Sequence, residues 1–412
     1  MGCGANKGYE IPSNDERDGD DVTEERHSSS EAVQNMRLLT VACDPLRILF
    51  IRVKFKSMIL FALLTVYVAI TLVIFFQTVI PSFVEGTTSE MFAVDSTVYV
   101  YFADSIREGR NEPWVLYSLL SFPNNLWSPV LISLILNSAL LVMLTNYAVF
   151  ATSILLLKRT CSISLGAFVP LLLLNPTTTT SLLCVNKEAL DLLSISLFLY
   201  ARAKRRNGLV LAVLAFAFLN RWEMCVEIIV FVIAESRLNP WREKRLSTLL
   251  LLIVTLNFVM PSLGSKMLDV RFIEAQAAHT IAFLDIMQMH YLFVLAVVPK
   301  IAENLFGQLL NPQVWQTPTS WLLINLFNNA AYAILILIAA KRRLLTLRND
   351  LVYFAALGAV IAAQSLAVQP RYFYFVYVLL CLVVAQLKPT SGQTATTRTA
   401  PVGLSRIIAR PQ

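Results

Sequence analysis

Apolar runs ended by charged residues alternate with short polar segments along most of the chain. The first run, residues 58–80, is long enough to span the roughly 30 Å hydrocarbon core of a membrane. The run of residues 130–157 also predicts one span, whereas the runs that flank polar stretches such as 175–191 and 220–223 are shorter. This pattern predicts an all-α fold: a polytopic transmembrane helix bundle of about ten crossings, with extracytoplasmic amphipathic helices and short broken helices.

The charges that flank the runs indicate their orientation. Residues 82–113 contain six acids and two arginines, whereas basic residues cluster before the first run and in alternate loops after it. Because cytoplasmic loops are enriched in Lys and Arg, we expect both termini in the cytoplasm and the acidic loop outside. Within that loop, apolar residues at helical spacing predict an amphipathic helix over residues 95–108 on the membrane surface.

The two ends of the chain are polar and differ from the region between them. Residues 1–45 are predicted to form a disordered acidic cytoplasmic tail, because the first 32 residues hold nine acids and three bases. Residues 46–388 are predicted to form the membrane domain. The Thr-rich residues 389–412 are predicted to form a second disordered cytoplasmic tail.

Composition narrows the class of function. The chain of 412 residues is 56% hydrophobic and 15% charged, which is typical of a polytopic membrane protein. Its net charge of +7 comes from basic residues between apolar runs, so no nucleic-acid partner is expected. Six cysteines without CxxC spacing and only three histidines favour neither a zinc nor an iron–sulfur site. The cofactor stays open, and nothing in the sequence indicates a divalent cation.

The stretch 175–191 separates two apolar runs and is the first candidate for a functional site. Pro176 lacks a backbone donor and restrains Asn175, so we expect the first helix of the pair to end there. Lys187 and Glu188 lie where the next run begins. Ionisable side chains are costly in hydrocarbon and usually face a cavity or a partner. We therefore expect this stretch to form the floor of a site.

Further charged groups are expected at the same outer side of the membrane. They are Asp95 in the first loop, Arg221 with Glu223, and Arg371 with Tyr372. If they meet Lys187 and Glu188, the result is a cavity with carboxylates for general-base catalysis and cations that suit a phosphate or pyrophosphate.

Each of these side chains also has a structural interpretation. Asp95 can cap an interfacial helix, and Lys187 can pair with Glu188. Arg221 and Arg371 can extend to the lipid headgroups as interfacial anchors. A common cavity around the charges would favour the functional interpretation, and separate positions at the headgroups would favour the structural one.

A resemblance to a known family rests on four short motifs. The segment VDSTVYVYFAD at 94–104, with Gly109 after it, resembles the first-loop acidic motif of GT-C-type integral membrane glycosyltransferases. The clusters at 186–188, 221–223 and 370–372 look like features of bacterial multispanning glycan-assembly proteins, including O-antigen and exopolysaccharide polymerases. The commonest GT-C motif has a second acid beside the first, whereas Ser96 follows Asp95 here.

The resemblance implies a membrane glycosyltransferase or glycan polymerase of the bacterial inner membrane. The donor would be a sugar on a polyprenyl phosphate, used on the extracytoplasmic face. The implied partners are the lipid bilayer, this donor and a glycan acceptor. The candidate catalytic residues are Asp95, Glu188 and Glu223, with Asp95 implied as the base, and the candidate residues for substrate or lipid phosphate are Lys187, Arg221, Arg371 and Tyr372.

Two other functions would use the same features. A transporter or flippase of an anionic lipid or solute also needs broken helices and charges near the membrane midplane. A non-catalytic scaffold of a glycan-assembly complex needs only the membrane bundle. The large acidic first loop, together with a sequence that has no P-loop or Rossmann fingerprint, favours the enzyme.

Overall fold

The computed structural model describes residues 62, 65–79, 94–110, 113, 115, 123–267, 284, 286–310, 320–364 and 370–386. The chain divides into two compact units, residues 1–66 and 67–412, and nearly all described residues belong to the second unit. Both predicted tails, 1–45 and 389–412, lie outside the described residues. Within the described ranges the regular structure is helical apart from an isolated bridge between Ile163 and Gln386, which confirms the all-α fold class.

Helices make up most of the described ranges. In chain order they are α1 Thr65–Gln77 with a π-helical turn Phe75–Val79, α2 Val94–Arg107, α3 Pro123–Leu136, α4 Ala139–Thr160, α5 Leu165–Leu173, α6 Pro176–Leu183, α7 Glu188–Ala203, α8 Asn207–Asn220, α9 Trp222–Ala234, α10 Arg245–Met267, α11 Phe293–Leu310, α12 Ser320–Lys341, α13 Asp350–Ala362 and α14 Tyr374–Ala385 after a 3₁₀ turn Pro370–Phe373.

Three of the described helices are long and apolar enough to cross a membrane. They are α4, α11 and the part of α12 from Leu322 to Lys341. Several shorter apolar helices accompany them, among them α1, α8 and α13. The structure is therefore compatible with a membrane protein, while the ten crossings, the inner membrane and the cytoplasmic termini stay predictions.

Two helix boundaries differ from the sequence-based interpretation. Residues 130–157 were expected to form one span, but the chain turns between α3 and α4, where Asn137 has φ +41° and the Ser138 hydroxyl accepts a hydrogen bond from the Leu141 amide. Serine is a favoured helix N-cap because its side chain satisfies an amide at the helix start. This expectation was wrong because the polar pair starts a new helix inside an apolar sequence.

The second difference concerns residues 291–300. In the sequence, the apolar piece from Tyr291 to Val298 is followed by Pro299 and Lys300, which predicts an interfacial or re-entrant segment that stops there. Instead, α11 continues through both residues to Leu310. Pro inside a membrane helix is tolerated where neighbouring groups satisfy the freed backbone carbonyl. Lys300 is fully buried and donates a hydrogen bond to Gln288 Oε1 over 2.7 Å, so its charge has a polar partner inside the bundle.

The centre of the bundle is formed by α13 and α14, which are apolar and buried on almost every side. Such helices are typical of the interior of a large helical protein. Aromatic rings join them to their neighbours: Phe354 of α13 stacks on Phe231 of α9 at 4.2 Å and meets Phe375 of α14 edge-on at 4.7 Å. This core fixes the ends of α9, α13 and α14, where the candidate site lies.

A methyl group added at Gly358 of α13 tests this packing. An alanine Cβ there would lie 2.6 Å from a Phe375 ring carbon, so Gly358→Ala is expected to destabilise the protein by about 1–3 kcal/mol. Gly208→Ala is the matched control, since its Cβ would meet no heavy atom within 4 Å. Thermal unfolding in detergent measures both. Equal stability of the two variants would contradict the close α13–α14 contact.

Candidate functional site

Arg221 lies at the break between α8 and α9 and joins three helices. Its backbone is extended, with φ −156°, so α8 ends at Asn220 and a new helix begins at Trp222. Its side chain extends to the first turn of α7, where Nη2 donates to Glu188 Oε1 over 3.1 Å and Nη1 lies 3.4 Å from Asp191 Oδ2. Both acids are only 1% exposed, so this is a buried ion-pair network.

Asn220 completes the contact between the α8–α9 break and α7. Its side-chain amide donates to Asp191 Oδ1 over 2.6 Å and to the Lys187 carbonyl over 3.2 Å. The second bond satisfies one carbonyl near the start of α7. Two helix breaks, around residues 187 and 221, are therefore held together by hydrogen bonds and ion pairs, which are stronger in apolar surroundings than in water.

Acids outnumber the arginine at this point. Glu188, Asp191 and Glu227 are buried, and Glu223 is half-buried on α9 one turn before Glu227. Among the described residues, Glu188 Oε2 and Glu223 Oε2 are buried without a hydrogen-bond partner. Buried polar atoms normally have partners, so these two oxygens are candidates for contact with a ligand or water.

A cavity of about 400 Å³ lies beside this network. Its polar lining comes from Arg221, Glu223, Glu227 and Gln364. The rest of the lining is aromatic or apolar. It consists of Trp222, Tyr372 and Phe375, with Met224 and Val226 of α9, Leu256 and Val259 of α10, and Ile361 and Ala362 of α13. A concave apolar surface with a few polar groups is the usual form of a small-molecule site.

Arg371 and Tyr372 lie in the 3₁₀ turn that leads into α14. Two guanidinium groups lie near the Tyr372 ring, that of Arg221 at 5.9 Å and that of Arg371 at 5.5 Å from its centre. These distances are typical of cation–π contacts. The structure therefore brings Arg221, Arg371 and Tyr372 to one place, and Tyr372 lines the cavity with Arg221.

The amino-terminal part of α2 contacts the break between α6 and α7. Lys187 Nζ lies 5.6 Å from the centre of the Tyr99 ring, and Ser96 donates a hydrogen bond to the Val185 carbonyl. The helix Val94–Arg107 matches the amphipathic helix expected at 95–108. Asp95 belongs to its first turn, and its side chain lies outside the described part of the structure. Its place near the cavity stays a prediction.

The geometry differs from two of the structural interpretations, those of Arg221 and of the Lys187–Glu188 pair. Arg221 is 8% exposed and pairs with α7, so it does not extend outward to the headgroups. Among the described ion pairs, the partner of Glu188 is Arg221 and not Lys187. Because the Arg221 guanidinium already contacts two carboxylates, it is less available to a lipid phosphate than the sequence implied. Its first role is to hold Glu188 and Asp191 in place.

Several residues of the site were missed by the sequence interpretation. Two of them belong to the ion-pair network: Asp191 pairs with Arg221, and Asn220 donates to Asp191. The other two, Glu227 and Gln364, line the cavity. Spacing carried a usable signal for two of them, because Asp191 follows Glu188 by three residues and Glu227 follows Glu223 by four. Acids at these spacings share one helix face.

A buried chain of polar side chains also ends at the cavity. Lys300 donates to Gln288 Oε1, and the Gln288 amide donates to the Gln364 carbonyl over 3.0 Å. Gln364 lines the cavity at the end of α13. Nothing in the pattern of α11 predicted this connection, because Lys300 and Gln288 occur in separate segments whose contact depends on packing.

Among the residues that the structure describes, no group of three or more His, Cys, Asp and Glu side chains is arranged to hold a metal ion. Comparison of the chain with protein-family models, with curated proteins and with solved structures found no match.

Proposed function

We propose that the protein is a membrane glycosyltransferase or glycan polymerase that uses a sugar carried on a polyprenyl phosphate. The observation that supports it most directly is the 400 Å³ cavity, which combines two carboxylates, an arginine and three aromatic rings. The proposal places this chemistry at the extracytoplasmic face of a bacterial inner membrane, in a bundle of about ten crossings.

The lining suits a sugar attached to a lipid. Carboxylates such as Glu223 and Glu227 accept hydrogen bonds from sugar hydroxyls, and the flat faces of Trp222 and Tyr372 can cover a sugar ring. The apolar side chains contributed by α10 and α13 suit the first isoprene units. A lipid-linked donor stays in the bilayer, so its enzyme needs no soluble nucleotide-binding domain.

The acids of the site are proposed to have two different roles, proton transfer and the positioning of Arg221. Glu223, with a buried oxygen that lacks a hydrogen-bond partner among the described residues, is the first candidate for the base that takes the proton of the acceptor hydroxyl, with Asp95 as the alternative. Glu188 and Asp191 neutralise and orient Arg221. Lys187, beside the Tyr99 ring, and Arg371, beside the Tyr372 ring, are the candidates that contact the donor phosphate.

Glu223→Gln removes a negative charge while it keeps the size of the side chain. We expect it to lower the rate of sugar transfer at least about tenfold, because a neutral amide cannot accept the acceptor's proton. The assay uses purified protein in liposomes, a panel of polyprenyl mono- and diphosphate sugars, and a fluorescent acceptor. Glu227→Gln tests the neighbouring acid in the same way.

Glu243→Gln provides the matched control, since Glu243 is exposed in the loop before α10. If wild-type protein transfers sugar and the Glu223→Gln and Glu227→Gln variants retain the rate of the Glu243→Gln variant, this cavity is not the catalytic site. No transfer by the wild type from any donor in the panel would count against the glycosyltransferase itself.

A transporter or flippase is the second candidate, and one observation favours it. The ion-pair network joins two helix breaks, α6–α7 and α8–α9, through buried charges, as in transporters whose sites lie at helix breaks. Movement of a fluorescent polyprenyl-phosphate lipid between the leaflets of such liposomes, with no sugar transferred, would support this function over the enzyme.

A further inference from the structure

A second cavity lies at the end of α12, away from the candidate site. Its volume is about 570 Å³, and it is lined by Ile338, Lys341, Arg342 and Arg343. All three basic side chains are exposed, and these lining residues include no acid. The cavity is therefore a cationic depression at the end of a helix that is long enough to cross a membrane.

The backbone at this end of α12 is fixed in an uncommon conformation. Arg343 has φ +54°, a left-handed conformation that is usually occupied by glycine at the end of a helix. The amides of Arg343 and Leu344 close the helix by donating to Ala340 and Ala339. Arg342 Nη1 donates to the Val384 carbonyl over 3.3 Å, which attaches the turn to α14. The three cations are thus held on a defined turn.

An exposed apolar strip leads along α12 to the cations. Ile334 is 43% exposed and Leu337 is 68% exposed. Together with Ile338 and Lys341 they follow a spacing of three, four and seven residues, which places them on one face of the helix. An acyl chain can lie along this strip while its headgroup occupies the cavity.

We propose that this surface binds an anionic phospholipid of the membrane, with the headgroup phosphate at Lys341, Arg342 and Arg343 and an acyl chain on Ile334 and Leu337. Basic groups near a membrane surface attract anionic lipids, and arginine can hold two phosphate oxygens at once. The cavity and the apolar strip together favour a whole lipid over a free phosphate ion.

This site is separate from the candidate site. Val384 lies at the end of α14, whereas Tyr372 lies just before its start. At about 1.5 Å per residue, the helix between them is roughly 18 Å long. The proposed lipid is therefore a different molecule from the sugar donor, and its binding does not depend on the proposed function.

Binding to the purified protein in detergent is measured with three probes: short-chain phosphatidylglycerol, short-chain phosphatidylcholine and inorganic phosphate. We expect phosphatidylglycerol to bind at least about tenfold more tightly than either of the others. The double variant Lys341→Gln, Arg343→Gln should lose this preference, and it keeps the Arg342 hydrogen bond that joins α12 to α14. Leu337→Asn should weaken the binding of phosphatidylglycerol and leave the binding of inorganic phosphate unchanged.

The double variant Lys158→Gln, Arg159→Gln is the matched control, because these two exposed basic residues also end a spanning helix, α4. If both double variants lose the preference for phosphatidylglycerol equally, the proposed site is wrong, because any basic helix end would then bind the lipid. Binding of inorganic phosphate as tight as that of phosphatidylglycerol would also overturn it, as would displacement of phosphatidylglycerol by an equal amount of polyprenyl phosphate.

Discussion

Arg221→Ala is expected to destabilise the protein by about 3–5 kcal/mol, the usual cost of removing one partner of a buried ion pair. The variant leaves Glu188 and Asp191, each 1% exposed, without the cation that lies 3.1 and 3.4 Å from their oxygens. It also removes the side chain that joins the α8–α9 break to α7. Thermal unfolding of the detergent-solubilised protein measures the loss.

Neutralising the acids should reverse much of this effect. The triple variant Arg221→Ala, Glu188→Gln, Asp191→Asn removes the unpaired charges, so we expect it to be more stable than Arg221→Ala alone. Arg221→Lys should be intermediate, because an ammonium group cannot match the planar fork of arginine. The control is Arg237→Ala, since Arg237 is exposed. An Arg221→Ala protein as stable as this control would contradict the buried network.

The same ion pairs show how far the sequence could predict the site. A charged side chain inside an apolar run costs free energy in hydrocarbon, so its position alone marks it as a candidate site residue. Lys187, Glu188 and Arg221 were identified in this way. The structure places Glu188 and Arg221 in contact. Their pairing could not be read from the sequence, because it depends on how α7 packs against the break between α8 and α9.

The helices themselves were easier to predict than their ends. The apolar runs 190–201, 226–234 and 321–340 predict α7, α9 and α12 to within a few residues. Two features were missed. The turn at Asn137 depends on a local hydrogen bond to the Ser138 hydroxyl, and the passage of α11 through Pro299 depends on a partner from another segment. Lys300 is the clearest case: its charge indicated a helix end, but Gln288 supplies a buried partner.

The second large effect is expected at the opposite end of α9, where Arg245 begins α10. Its Nη2 donates to Glu235 over 2.9 Å and to Asp350, and its Nη1 donates to the carbonyls of Leu347 and Arg348. The two acid side chains are 1% and 5% exposed. Arg245→Ala should therefore cost about 3–5 kcal/mol in a thermal unfolding experiment and loosen the contact of α9, α10 and α13.

The variant should also change how stability depends on pH. Burial raises the pKa of Glu235 above its ordinary value, and Arg245 opposes this rise. Without Arg245 the pKa rises further, so the folded state binds a proton that the unfolded state releases, and stability falls as pH rises through this range. Arg245→Ala should thus be more stable at mildly acidic than at mildly alkaline pH, with a steeper dependence than the wild type. Adding Glu235→Gln removes the titrating carboxyl and should flatten the profile; a profile that stays steep would show that another group carries the proton.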